Sequence, residues 1–516
     1  MTWRLDVAVI ATLFSGFLYG LAFPPMRFHL LAWVALVPFL IVLRDSRWTR
    51  RITLGVLWTL TSGWSVGTWM PTAVASYFDQ PLAIGIALFL IVTLCMAAPY
   101  YTAFAVVYGN LARGGPTAPL VAGAAWAAAE LARGRLLNGT LTYVGNSPWA
   151  TLGYSQADFP AMLQIAALTG VYGVSFVVAA VNAGLAEVAV QLLLWGRVPQ
   201  RAWNGLAAVL TVAVTVLVGG ALVLRTGGAT PASAPTPIAI VQGNLGAAVR
   251  WSAEGPARTL ETYARLTRET IAADPPAIVF WPEAAITAFL EQEDGHRRAL
   301  ATIAGGRSEL VVGAPRAGTP DGGPPFTNSV YLVGAGGTVA ARYDKQFLLP
   351  FMEYFPLRLD MARRQFGRVR EFTPGEPTPP LPTRAGAAGM LVCNEAFLPH
   401  VAGARVAEGA SYLVNPSNDS WVPDAGFAAQ QFDLAALRAV EQRRWLVRVS
   451  DSGPSGVVDP YGRVVASTPP LARAVLRSTV EPRTERTVYG HVGDVFGLGC
   501  ALATVVALAR GRRRRR

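Results

Sequence analysis

The sequence predicts a polytopic α-helical membrane domain of about eight spans joined to one large extracytoplasmic α/β domain. Three observations carry this. The 516 residues are 52% hydrophobic and only 15% charged, with a mean hydropathy of +0.36, whereas soluble domains are roughly 25% charged. Apolar, nearly charge-free runs recur along the chain. Arginines gather in alternate connections between those runs.

A bilayer-crossing helix takes about 20 predominantly apolar residues. Runs at 7–23, 30–43, 52–70, 81–107, 117–129, 163–186, 206–224 and 495–509 reach or approach that length once their flanks are included. Arg44, Arg47, Arg50, Arg51, Arg113, Arg197, Arg201, Arg510 and the run 512–516 fall on one side of the alternation, with Arg4. That is the positive-inside pattern and places both termini in the cytoplasm; Arg133 and Arg135 lie on the other side. The net charge of +12 therefore reads as topology. The terminal RGRRRRR is expected to lie against anionic lipid, with no nucleic-acid partner. The first run lacks a small-residue cleavage site and reads as an uncleaved anchor.

Four regions follow: 1–225 with seven spans, a linker at 226–236, an outer domain at 237–488, and an eighth span with a basic tail at 489–516. The linker TGGATPASAPTP is small and Pro-rich, as domain boundaries are. The outer domain is long enough to bury its own core. Its short apolar runs begin at Pro237, Ala277, Glu309, Ser329, Met390, Ser411, Trp445 and Gly456, and helix-like stretches at 257–273 and 426–444 lie between them. Turns are expected at Gly336-Gly337 and Tyr461-Gly462. Continuous apolar strands alternating with helices suggest sheets covered by helices.

Three residues in the outer domain stand out. Glu283 closes AIVFWPE, and α/β sheets place function at such strand ends; a solvated carboxylate is the plainer reading. Cys393 is the outer domain's one cysteine, Cys95 and Cys500 lying in apolar runs. A lone thiol in an oxidising compartment is either buried packing or kept for chemistry. If CNEAF opens a helix, its N-terminus would favour the thiolate. Lys345, in YDKQFLLPFMEYFP, is the single lysine among 44 basic residues. Arginine is a permanent planar cation and lysine a compact, titratable one, so a site needing a point charge resists the replacement made elsewhere. Chance survival of one lysine is the alternative. Glu353 and Glu395 are carboxylates close in sequence to the lysine and the thiol. The four histidines are scattered, without metal-ligand spacing, and no cofactor motif is present.

WPE, YDK and CNE resemble, in order and spacing, the Glu-Lys-Cys triad of the nitrilase (carbon–nitrogen hydrolase) superfamily. The apolar runs around this domain resemble the apolipoprotein N-acyltransferases within it. The likeness extends to GNSPWATLGYSQ from Gly145, VQGNLGAAVRW up to Trp251, NPSNDSWV from Asn415 and RAVEQRRWLVRVSDSGPSGVVDPYG from Arg438. It implies an α-β-β-α sandwich and a catalytic role for Glu283, Lys345 and Cys393. Glu353, Glu395 and Asn394 would support them, and Trp251, Phe351 and Phe355 would line the substrate site. The position after the nucleophile, often aromatic in this family, is Asn394 here.

The resemblance further implies a phospholipid acyl donor, a diacylated lipoprotein acceptor, no cofactor, a monomer, and a multi-pass protein of the bacterial inner membrane with its catalytic domain periplasmic. The competing expectation is a membrane-anchored amidase that gives its thioester to water; a ligand-binding receptor or transporter would show more intramembrane charge. An acyl chain in water costs roughly 0.8 kcal/mol per CH₂, so the apolar stretch 347–361 is expected to form a lipid-facing arm or to pack in the core.

Overall fold

The computed structural model describes residues 4–112, 115–136, 149–227, 234–246, 249, 254–319, 325–334, 337–350, 352–354 and 371–513. They form two compact units, a helical one from described residues before Gly228 and after Gly490, and an α/β one between them.

In the helical unit the apolar runs become helices, several of them broken where the backbone demands it. The run 30–43 divides into Ala32–Ala35 and Val37–Arg44, the latter with a proline in its first turn. The run 81–107 bends by 47° between Leu82–Met96 and Ala98–Leu111, again with proline in the first turn, where its missing N–H costs nothing. Gly170, at φ 66°, separates two short turns from Val171–Trp195. By length and composition Val171–Trp195 and Gln200–Thr226 suffice to cross a bilayer, and the bent pair taken as one span adds a third.

Two buried polar clusters stand out inside this unit. Trp58 is packed by Tyr19, Phe39, Tyr101 and Trp126, with ring centroids 5.2–5.4 Å away, and its indole donates to Ser15 Oγ at 3.1 Å. Glu130 accepts from Trp126 Nε1 at 2.9 Å and from the Leu152 amide at 2.7 Å. Through that one oxygen the carboxylate ties its own helix to the turn beginning at Leu152, and losing it would leave two buried donors without their acceptor.

The α/β unit has twelve described strands in two sheets. The first holds β1 (Thr236–Gln242), β2 (Ile278–Phe280), β3 (Glu309–Ala317), β4 (Phe326–Val333), β5 (Val339–Asp344) and β12 (Ala474–Val480), in the order β12-β1-β2-β3-β4-β5. The second holds β6 (Leu381–Thr383), β7 (Gly386–Met390), β8 (Tyr412–Ser417), β9 (Leu446–Ser450), β10 (Gly456–Val458) and β11 (Val464–Ser467), in the order β11-β10-β9-β8-β7-β6.

Strand periodicity sorts the side chains. Ile238 and Ile240 face the second sheet, packing with Met390, Val414 and Val447. Their neighbours Ala239 and Val241 turn outward with Trp281 to meet Tyr263 and Ile271 of helix Gly255–Ala273. Both faces are thus covered, which is why these strands read as continuous apolar runs. Helices Pro399–Ala407 and Ala425–Gln442 cover the second sheet. The result is the expected α-β-β-α sandwich. The hairpins also form: β4 pairs with β5 and β10 with β11, both antiparallel, with Gly337 and Gly462 at φ 83°.

Strands β1, β2 and β3 run parallel, as do β7, β8 and β9. β5 returns alongside β4, so it points the same way as β3. Segments leaving β2 and β5 therefore emerge at one end of the first sheet, and those leaving β7 and β8 at one end of the second.

Candidate active site

Lys345 directly follows β5 and is 1% exposed. Its ammonium donates to Glu353 Oε2 at 2.7 Å and stands 3.7 Å from Glu283 Oε1. Burial alone would lower its pKa, but the carboxylates of Glu353 and Glu283 prevail and raise it. The two carboxylates thus favour the charged ammonium.

Glu283 lies three residues beyond β2 and is buried. Its Oε1 accepts from Asn328 Nδ2 at 2.6 Å and its Oε2 from the Asn418 amide at 2.9 Å. Burial pushes its pKa up, Lys345 opposes this, and the Glu353 charge adds to it. The Cys393 thiol is in hydrogen-bonding contact with this carboxylate. Asn328 Nδ2 also donates to Glu353 Oε1 at 2.8 Å, so one amide spaces the two glutamates.

Cys393 opens the turn Cys393–Phe397 at φ +52°, a left-handed conformation that costs a non-glycine residue about 1–3 kcal/mol and clusters at functional sites. This turn is a 3-10 helix of five residues. The expectation that a helix N-terminus would favour the thiolate does not hold. Burial raises the thiol pKa, the Glu283 charge raises it further, and Lys345 only partly offsets them. At rest the group is a neutral thiol.

The two supporting carboxylates differ in kind. Glu353 holds the lysine and accepts from the Leu349 amide at 2.7 Å. Glu395, fully buried, accepts from Tyr343 Oη at 2.9 Å and from the Gln346 and Phe347 amides at 2.8 and 3.1 Å through Oε1. Its Oε2 takes the Val392 amide at 2.7 Å. It therefore binds the backbone after the lysine to the backbone before the thiol. Asn394 Nδ2 adds a bond to Phe347 O at 3.0 Å. Trp251, Phe351 and Phe355 lie outside the described residues, as does most of the stretch 347–361.

Several residues around this cluster were not singled out from sequence. Asn328 sits in FTNSVYLV, and Arg448 in WLVRVS, is fully buried. A charge inside an apolar strand needs a buried partner, and that was the available signal. Arg448 finds Asp419 Oδ2 at 2.7 Å and the Asn415 side-chain oxygen. Asp419 is held as well by Ser417 and Ser450.

A neutral thiol beside a carboxylate of raised pKa and a fixed cation suits nucleophilic attack on a carbonyl, the proton going to the carboxylate as sulfur bonds carbon. The chain's relatives agree with acyl chemistry. Residues 15–184 match the family model described as apolipoprotein N-acyltransferase N-terminal domain, and residues 237–488 match that described as carbon-nitrogen hydrolase. A Geobacter metallireducens protein named apolipoprotein N-acyltransferase is 30% identical, over 97% of this chain and 94% of its own. One of the same name from Methylococcus capsulatus is 29% identical over 98% and 97%. Among solved structures, Saccharomyces cerevisiae Nit3, a member of the nitrilase superfamily, is 18% identical with a TM-score of 0.38, covering 49% of this chain and 92% of its own. A Nesterenkonia amidase of that superfamily is 21% identical with a TM-score of 0.37, covering 49% and 94%.

Proposed function

The chain belongs to the apolipoprotein N-acyltransferase family, and from that premise we propose that it moves a phospholipid acyl chain, through a thioester on Cys393, to the α-amino group of a diacylglyceryl-cysteine apolipoprotein. The observation that supports it most is the contact of the Cys393 thiol with Glu283 beside the Lys345 ammonium.

In the first step Glu283 takes the thiol proton as Sγ attacks the ester carbonyl. Lys345 and the Asn394 N–H receive the charge that develops on oxygen. The C–O bond then breaks, and Glu283 returns the proton to the departing lysophospholipid oxygen. In the second step the acceptor amine attacks the thioester, the C–S bond breaks, and the amine proton passes through Glu283 to sulfur. Glu353 fixes the lysine. Trp251, Phe351 and Phe355 are proposed as substrate contacts.

The same reading includes eight spans, the four regions bounded at 225, 236 and 488, cytoplasmic termini, a periplasmic catalytic domain and a monomeric enzyme. The arginine distribution supports the orientation. No cofactor enters the scheme.

The test is Cys393→Ser against the unsubstituted protein, incubated with fluorescent phosphatidylethanolamine and then a diacylated lipopeptide. A hydroxylamine-sensitive acyl-enzyme is expected only with the cysteine, followed by an N-acylated peptide. Acyl-enzyme at the wild-type level in the serine variant sinks the assignment of the nucleophile. Release of free fatty acid in place of N-acyl peptide identifies the hydrolytic amidase.

A further inference from the structure

The sequence motifs NPSNDSWV and RWLVRVS are unused by this scheme, yet their side chains meet behind the nucleophile. Asn415, in β8, is fully buried. Its Nδ2 donates to two carbonyls, Leu391 O just before the turn at 2.5 Å and Cys393 O at its start at 3.1 Å. Its Oδ1 accepts from the Arg448 guanidinium. The amide can sit only one way round, since the reverse would set its oxygen against two carbonyls and its NH₂ against a cation. Arg448 is fixed in turn by Asp419.

The bond to Cys393 O has a consequence one atom further on. That carbonyl and the Asn394 N–H belong to one planar trans peptide and point in opposite directions. Holding the carbonyl toward Asn415 aims the N–H away from Asn415. The left-handed backbone at Cys393 is unfavourable for a free chain, so the peptide would rotate away if nothing held it.

We infer that Asn415 is a positioning residue that aims the Asn394 N–H at the developing oxyanion, with the Arg448–Asp419 pair keeping its amide oriented. This rests on the acyl-transfer reading above. Asn415 touches no reacting atom; it acts through the 393–394 peptide. The same loop serves the base, because the Asn418 amide donates to Glu283.

The test separates chemistry that forms an oxyanion from chemistry that does not. Thioester formation from phospholipid passes through a tetrahedral oxyanion, whereas alkylation of the thiol by iodoacetamide does not. Asn415→Leu removes both halves of the amide. Asn415→Asp keeps the shape and the acceptor for Arg448 but loses the donor, and covers the case in which the leucine variant fails to fold. The expected result is a fall of about 100-fold in the rate of acyl-enzyme formation, the scale of losing one oxyanion donor. Phospholipid KM and the iodoacetamide rate stay near wild type.

Equal losses in acylation and alkylation overturn the inference, because Asn415 would then act on the thiol or the fold at large. So does acylation at the wild-type rate in either folded variant. Absence of any thioester in the unsubstituted protein removes the acyl-transfer reading and this inference with it, and is seen before a variant is made.

Discussion

The Lys345 ammonium is bonded to Glu353 at 2.7 Å and stands off from Glu283 at 3.7 Å. The nearer glutamate holds the cation, which leaves the farther one freer to exchange a proton with the thiol.

Replacement of Lys345 by arginine is expected to abolish measurable thioester formation, with a loss of about 100-fold or more. The lysine is enclosed and in contact with two carboxylates. A wider planar guanidinium cannot place one charge at the same point. Gel fluorescence of the acyl-enzyme measures this; retained activity would mean that positive charge of any shape suffices.

Acylation is expected to need the ionised form of Glu283, so its rate should rise with pH through that group's pKa. Burial and the Glu353 charge raise this pKa, so the acidic limb lies above the ordinary glutamate value of about 4.3. Glu353→Gln removes a repelling charge and releases Lys345 toward Glu283, and both effects lower the Glu283 pKa. The limb should move to lower pH, and a shift to higher pH would contradict the geometry. The readout is the pH profile of acyl-enzyme formation.

Cys393 is held as a neutral thiol by burial and by the neighbouring carboxylate. Iodoacetamide should therefore alkylate it more slowly at pH 7 than it does a free cysteine, and faster as pH rises. Glu283→Gln removes the charge that raises the thiol pKa while disabling the base. Thiolate should then appear at lower pH even as acyl transfer is lost. Mass spectrometry of the 393-containing peptide against pH reads both.

Glu395→Ala is expected to be the most damaging of these changes to stability. It leaves four donors, on Tyr343, Gln346, Phe347 and Val392, without their acceptor. Each buried donor left unmade costs about 1–3 kcal/mol, partly recovered by relaxation, so a loss of several kcal/mol is expected. Thermal unfolding of the detergent-solubilised protein measures it. An unchanged midpoint would show that water replaces the carboxylate without loss.

Much of this protein was legible without coordinates. Lys345 stood out by being the one lysine, Cys393 by being the one cysteine outside the apolar runs, and Glu283 by ending a buried strand. Most of the strands were visible because a sheet covered on both faces must be apolar throughout, but β6 and β12, at the sheet edges, were not among the apolar runs. Less legible were the broken helices, since hydropathy averages over a proline or a left-handed glycine that stops a helix without changing its polarity. Asn328 passed unnoticed, and Asn415 was seen only as the first residue of a motif, for a related reason. A single amide in an apolar strand looks like noise until its partners are known.

The sequence by itself determined the two kinds of domain, the places of most strands and the short inventory of groups able to do chemistry, because periodicity and composition are local properties of the chain. Only the tertiary structure decided which carboxylate holds the lysine and which meets the thiol. It also decided that Glu395 binds backbone amides, and that Asn415 and Arg448 close behind the nucleophile. Lys345 and Glu353 are eight positions apart, but many contacts of the site join residues distant in the chain, 45 positions for Asn328 and Glu283 and 135 for Asn418 and Glu283. They depend on how two sheets stack, and a hydrogen bond that weakens within a fraction of an ångström is fixed by that stacking rather than by any spacing along the sequence.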